Sequence, residues 1–375
     1  MPRGGKRRWF GGDVVLAVVV CVLVCVGLIF VYGASRYTAE TTYGNKYYYL
    51  VKQAIGAAVG VVAMIACANV PLEFVKKLWI IGIVLSFALL ALVFVPGVGI
   101  ENYGAKRWIG FGSFSLQPSE IAKFAYVLFA AVYMSRHDMS KFVSCIVPLA
   151  VGAGLCLAII LEPNMSITVV MALLMLSMLF VGGVKARYFL LLTVPVIVAA
   201  PLLILAEPYR VQRLLAFLDP WASPKGEGYQ LIQSLYALGS GGWFGVGLFC
   251  SRQKYRFLPF AESDFVFAVI GEETGLVGCL CLFALYATVI LRGIRIALNS
   301  RDKFCFYLSA GITAVVAIQT LVNFAVVTGS IPPTGLPLPF VSYGGTSLVV
   351  FLSAVGLLIN CSKKSFSRGF GEWIT

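Results

Sequence analysis

The sequence predicts an all-α integral membrane protein: a bundle of about ten transmembrane helices with one long extracytoplasmic loop. Three observations carry this. Of the 375 residues, 60% are apolar and only 12% charged, against about 25% charged in a soluble domain, and the mean hydropathy is +0.92. The charges gather in short clusters between apolar runs of helix-spanning length. Lys and Arg collect in alternate connections, at Arg3 to Arg8, Lys76–Lys77, Arg136 to Lys141, Lys185 to Arg187, Arg292 to Lys303 and Lys363 to Arg368. The positive-inside rule assigns such connections to the cytoplasm. A topology signal facing an anionic leaflet accounts for the net charge of +13 better than a nucleic-acid face does.

The first run, 14–32, follows Arg3, Lys6, Arg7 and Arg8 and lacks a convincing cleavage site, so it reads as an uncleaved signal anchor. Further spans are expected at 51–70, 78–97, 118–135, 142–161, 165–183, 188–206, 265–291, 304–328 and 344–361. An even number of spans puts both termini in the cytoplasm. No internal repeat or low-complexity linker interrupts the pattern, and 1–375 reads as a single transmembrane domain. Most of the ten Cys lie inside apolar runs, no spacing suggests zinc or redox chemistry, and His137 reads as a solvated loop residue.

Three connections on the expected outer side are unlike ordinary loops. The first, 98–117, contains Asn102-Tyr103-Gly104-Ala105-Lys106-Arg107-Trp108. The second, 207–263, is the long one. The third, 329–343, carries no charge and four prolines. Such backbone cannot be regular helix and is expected to pack against protein or line a cavity. An outward-facing site follows.

Ionisable residues at membrane depth are functional suspects. Glu120 and Lys123 open the fourth span after Pro118, on one helix face, and suit either an internal ion pair or a substrate contact. Asp264 opens the eighth span, where it reads either as a helix N-cap or as a general base. Glu272 and Glu273 follow two turns deeper and read as a buried structural pair. In the long loop Arg210 and Arg213 share one side of an amphipathic segment, and Gln230 lies in a second. With Lys106, Arg107 and Lys52 they give the cavity a cationic rim suited to an anionic, lipid-linked ligand. The residues alone leave open an enzyme acting on a phosphate-bearing lipid, or a transporter of such a lipid.

The run Gly104-Ala105-Lys106-Arg107-Trp108, with Gln117-Pro118-Ser119-Glu120-Ile121-Ala122-Lys123 and Pro332 to Gly345, closely resembles the SEDS family of bacteria, the FtsW/RodA/SpoVE proteins. The form of Thr334 to Pro339 looks more like the FtsW and SpoVE branches. The resemblance implies a peptidoglycan glycosyltransferase of the bacterial cytoplasmic membrane, at the division septum, that polymerises lipid II for division, elongation or sporulation. It implies Asp264 as the catalytic carboxylate. Lys123, Glu120, Arg107, Lys106, Arg210, Arg213, Lys52, Gln230 and Ser342 are expected at the substrate, which includes an undecaprenyl-pyrophosphate-linked glycan. Expected partners are a class B penicillin-binding protein, other division proteins and membrane lipids, with no nucleic acid. A divalent cation, Mg²⁺ or Mn²⁺, is a candidate cofactor without an assigned ligand. A lipid II flippase and a non-catalytic division scaffold are the alternatives. Two departures stand out: Phe260 and Glu262 where many relatives have Glu and then His or Gln, and Asn164 where Asp is common.

Overall fold

Thirteen α-helices and one small sheet make up the computed structural model, which describes residues 12–102, 105–111, 114–205 and 207–366. The first helices are α1 (Val14–Tyr43), α2 (Tyr48–Asn69), α3 (Leu72–Lys77) and α4 (Trp79–Leu92). Then come strands β1 (Gly99–Asn102), β2 (Ala105–Phe111) and β3 (Phe114–Leu116). Four helices follow: α5 (Pro118–Arg136), α6 (Phe142–Leu161), α7 (Met165–Val181) and α8 (Ala186–Leu205). The long loop holds α9 (Pro208–Leu218) and α10 (Tyr229–Gly241), and the chain ends with α11 (Val266–Leu298), α12 (Lys303–Val327) and α13 (Gly345–Phe366). Each of the ten apolar runs coincides with a helix. Six of these are long and apolar enough to cross a membrane by length and composition, while α4, α7 and the first part of α8 are shorter apolar segments. This is a mostly helical multi-pass membrane protein. The basic cluster Arg3 to Arg8, together with Tyr103, Gly104 and Arg368, lies outside the described residues.

Three details depart from the sequence expectation. The first helix runs eleven residues past its expected end, to a left-handed Gly44 cap. The first connection is not a simple loop but a three-stranded antiparallel sheet in the order β1-β2-β3, with Glu101 opposite Lys106 and Ile109 opposite Leu116. Its last strand is tied to the start of α13, where Thr346 Oγ1 donates to Ser115 O. Third, α11 is broken at Gly275 (φ 67°, ψ −165°). Residues 242–247 of the long loop lie against the break. Val246 and Gly247 N–H donate to the Glu272 and Glu273 carbonyls, and Leu276 and Val277 N–H donate to Gly242 and Trp243 O, at 2.9–3.2 Å. No side chain fits there: a Cβ on Gly275 would stand 2.4 Å from Gly245 N.

The centre of the bundle is α12, which packs against α5, α7, α11 and α13, while α13 runs alongside α2. Gly356 permits that last approach, since a Cβ on it would stand 2.3 Å from Met64 O. Away from the long loop, one clamp joins three helices. Asp13 accepts from Leu16 N at 3.0 Å as the α1 N-cap, pairs with Arg292 of α11 at 2.8 Å, and its own N–H donates to Ser362 Oγ of α13. The Asp13 carboxylate is almost wholly buried.

Removing it should therefore cost both a cap, worth about 1 kcal/mol, and the partner of a half-buried guanidinium. Asp13→Ala is expected to lower the thermal unfolding midpoint of the purified protein, and Asp13→Asn, which keeps the cap and loses the ion pair, should fall between the two. Equal midpoints for all three proteins would show that the clamp carries no stability.

Candidate active site

The Pro-rich segment 329–343 lies at the end of the bundle where α5, α7, α11 and α13 begin. It enters the protein interior: Leu336, Leu338, Phe340 and Val341 are at most 2% exposed. Prolines leave it with carbonyls and few donors of its own, and side chains from five other elements supply the missing hydrogen bonds. Asn323 Nδ2 donates to Leu336 O at 2.7 Å and Gln319 Nε2 to Pro337 O at 3.0 Å. Ser166 donates to Thr334 O, Tyr286 to Pro339 O and Arg213 Nη1 to Pro333 O. Gln53 Nε2 donates to Ser342 O, and its Oε1 accepts from Gly344 N. On α1, Gly27 lets the segment pass, since a Cβ there would stand 2.7 Å from Val341 O.

The expected ion pair forms beneath this segment. Lys123 Nζ lies 2.8 Å from Glu120 Oε1 and 2.5 Å from Gln319 Oε1, and faces the Phe351 ring at 5.3 Å. Glu120 also accepts from Ser347 Oγ at 3.0 Å. Both side chains are fully buried. In this arrangement they address the protein, because Lys123 occupies Gln319 Oε1 and so turns the Gln319 amide nitrogen toward Pro337 O.

Asp264 is not the cap of α11. That helix begins at Val266 after Phe265, with no side-chain cap. Asp264 sits instead in the preceding turn, where Ser263 and Phe265 N–H both donate to Phe260 O. Phe260 adopts a left-handed φ of 56°, a conformation that costs a non-glycine residue of order 1 kcal/mol or more. The turn is bolted to the Pro-rich segment from both sides. Asn323 Nδ2 donates to Asp264 O at 2.9 Å as well as to Leu336 O, and Ser342 Oγ, which accepts from Leu338 N, donates to Ser263 O. Tyr343 N donates to Glu262 O. The Asp264 carboxylate lies against Gly335 (φ 66°), where a Cβ would stand 3.2 Å from Oδ2.

Burial, and then the neighbouring Glu262 carboxylate, push Asp264 up from the usual range to about 6, opposed by the Ser263 hydrogen bond and by Arg213 and Arg107. Glu262 is itself raised by burial. Two carboxylates, two guanidinium groups and the Pro-rich backbone therefore converge on one spot. Arg107, on β2, reaches the end of α6 and donates to Pro163 O at 2.5 Å and Glu162 O at 3.4 Å. The buried Glu162 carboxyl beside it has no hydrogen-bond partner among the described residues. Burial raises it to about 8 against the pull of Arg107, so it is mostly neutral at pH 7.

The remaining expected site residues scatter around this centre. Gln230 Nε2 donates to Pro259 O in the Asp264 turn, and Arg213 also lies 3.7 Å from Glu227. Arg210 lies one turn before Arg213 on α9. Lys52 donates to Tyr48 OH on its own helix, and Lys106 faces Glu101 across the sheet. Asn164, at the second departure, caps α7 through its side-chain oxygen. Glu272 and Glu273 hold the long loop, accepting from the backbone of residues 251–253 and from Lys254 Nζ at 3.5 Å. No group of three potential metal ligands occurs among the described residues. The Asp264–Glu262 pair does fit a Mg²⁺ or Mn²⁺ ion held by one or two carboxylates and completed by water and phosphate oxygens.

The geometry defines a membrane-embedded helical protein with one carboxylate-centred, cation-flanked site at the end of its bundle. The family model described as cell cycle protein, covering FtsW, RodA and SpoVE, matches residues 13–366, and the chain belongs to that family. It is 39% identical to stage V sporulation protein E of Bacillus subtilis, over 94% of this chain and 97% of that protein. It is 36% identical to the probable peptidoglycan glycosyltransferase FtsW of Geobacter sp. strain M18, over 96% and 98%. Among solved structures it superposes on a chain from a peptidoglycan synthase complex studied for its coordination of polymerization and crosslinking, with TM-score 0.79, 26% identity and coverage of 95% and 99%. It also superposes on the rod shape determining protein RodA of Thermus thermophilus, with TM-score 0.70, 25% identity and coverage of 94% and 97%.

A carboxyl raised in the folded state weakens the fold as pH climbs from its unfolded value near 4 through about 6. Asp264→Asn should therefore raise the unfolding midpoint at pH 7.5 by about 2–4 °C and leave it unchanged at pH 4. A midpoint lowered at both pH values would mark Asp264 as a structural group.

Proposed function

We propose that the protein is a peptidoglycan glycosyltransferase that polymerises lipid II into glycan strands, with Asp264 as general base. The observation that carries this is the Asp264 carboxylate itself: half-buried, raised to about 6 and flanked by Arg107 and Arg213. Those are the properties of a base that must hold a proton briefly beside a phosphate-bearing substrate. The names of relatives described as probable peptidoglycan glycosyltransferases support the same reading.

In the proposed step, the growing strand is the donor on undecaprenyl pyrophosphate and lipid II is the acceptor. Asp264 accepts the proton of the acceptor GlcNAc 4-hydroxyl while that oxygen attacks the donor MurNAc anomeric carbon. The bond to pyrophosphate breaks, its electron pair leaves with the phosphate oxygen, and an α linkage becomes β by a single inversion. Arg213 and Arg107 offset the charge that develops on the leaving group. A divalent ion held by Asp264 and Glu262 would add charge neutralisation there. Lys123 and Glu120 act as positioning residues, through Gln319 and the Pro-rich segment. The site faces outward, both termini lie in the cytoplasm, and the protein works at the division septum with a class B penicillin-binding protein that crosslinks the strands.

One observation favours a second reading, the translocation of lipid II across the membrane: α11 is broken within its length, as helices of many transporters are.

The test is glycan formation from purified lipid II by the protein together with its class B partner. Wild type is expected to make strands, and Asp264→Asn at least about 10²-fold fewer with unchanged partner binding. Equal product from both would remove Asp264 as the base. No product from either, with lipid II still crossing a vesicle membrane, would favour translocation.

A further inference from the structure

The break in α11 docks a part of the long loop against a helix long and apolar enough to cross a membrane. Residues 242–250 read Gly-Trp-Phe-Gly-Val-Gly-Leu-Phe-Cys, without a charge. Trp243 is 69% and Phe244 82% exposed, and Val246 and Leu248 are exposed as well. These side chains continue the exposed apolar face of α11, where Leu276, Leu280 and Phe283 begin immediately beyond the break. Roughly 17 residues separate Gly275 from Arg292, or about 26 Å of helix, close to the hydrocarbon thickness of about 30 Å. Arg292 and its Asp13 partner are the charged pair at the other end of this stretch, so a bilayer whose boundary lies at that pair reaches the break with its opposite boundary.

Irregular backbone is tolerated at that depth only if its polar groups are satisfied within the protein. Here five of those groups are bonded to α10 and α11. Gly245 N donates to Gly241 O, Val246 and Gly247 N to Glu272 and Glu273 O, and Gly242 and Trp243 O accept from Leu276 and Val277 N. What remains outward is apolar and aromatic, the composition of a membrane-interface anchor.

We propose that residues 242–249 form a re-entrant wedge that inserts between lipids at the boundary of the bilayer and anchors the long loop. The occupant of this surface is lipid, because the wedge is continuous with the apolar face of a membrane-spanning helix and offers no charged side chain, its single side-chain donor being the Trp243 indole N–H that suits the bilayer interface. The chain leaves the wedge through residues 251–254, held by Glu272 and Glu273, and reaches the Asp264 turn within about ten residues. If the proposed activity is correct, the wedge sets the height of Asp264 above the lipid in which both substrates are anchored. The insertion itself does not depend on that activity.

The test compares Trp emission of wild type and Trp243→Phe, each full-length in phospholipid vesicles, so that the difference isolates Trp243. Lipids brominated near the headgroup should remove most of that difference emission, and aqueous iodide should leave it. Phe244→Asp should shift it to the red and admit iodide. Difference emission quenched by iodide and untouched by brominated lipid would place the segment in water and overturn the proposal. Emission shielded from both quenchers would mean that a protein surface, such as a second copy of the chain, covers it, which overturns the proposal equally.

Discussion

A stretch of backbone rich in proline, buried in a membrane protein, cannot satisfy its own carbonyls and finds no water there to do so. Each carbonyl left without a donor costs about 1–3 kcal/mol. The segment 329–343 meets this constraint with donors from outside itself: amides of Gln53, Gln319 and Asn323, hydroxyls of Ser166 and Tyr286, and the Arg213 guanidinium. Much of the bundle is arranged to deliver those groups. The fully buried Glu120–Lys123 pair belongs to the same arrangement, since it fixes which end of the Gln319 amide faces the backbone.

The same bonds place the reactive carboxyl. Asn323 divides its amide between Leu336 O and Asp264 O, so segment and turn cannot shift independently. The turn itself contains a left-handed Phe260, and the segment a left-handed Phe340. Strain of this kind persists where surrounding contacts over-determine it. With the turn held on two sides, Glu262 and the two arginines are kept at working distance from Asp264 and set its affinity for a proton. At the far end of the bundle the Asp13–Arg292 pair and Ser362 close three helices together, and the reactive end is left to the loops.

The apolar runs were legible as helices because a bilayer dictates apolar length, and six of those helices are long and apolar enough to cross one. Asp264, Arg107 and Arg213 were legible as well, through motif and charge, and the structure brings them together. Other parts depended on contacts distant in sequence. The sheet pairs strands of three to seven residues, too short to declare a period. The α11 break is made by residues 242–247 docking from the long loop, which no local pattern around Gly275 reveals. Asp264 reads as a cap because the apolar run starts at 265, one residue before the helix does, and no local pattern signals the left-handed Phe260 turn. Gln53, Gln319 and Asn323 carry no charge and match no motif, so nothing local in the sequence marks them as donors to the Pro-rich segment. The excess of acceptors over donors in the Pro-rich segment is the one sequence signal that calls for such amides.

The most direct measurement is the pH dependence of the polymerisation rate at saturating lipid II, for wild type and Glu262→Gln. If Asp264 is the base in the environment described, the wild-type rate rises with pH through a limb near 6. Glu262→Gln, which removes the like charge that helps raise Asp264, moves that limb to lower pH. A rate independent of pH between 5 and 8, or a limb that Glu262→Gln leaves in place, would contradict the account.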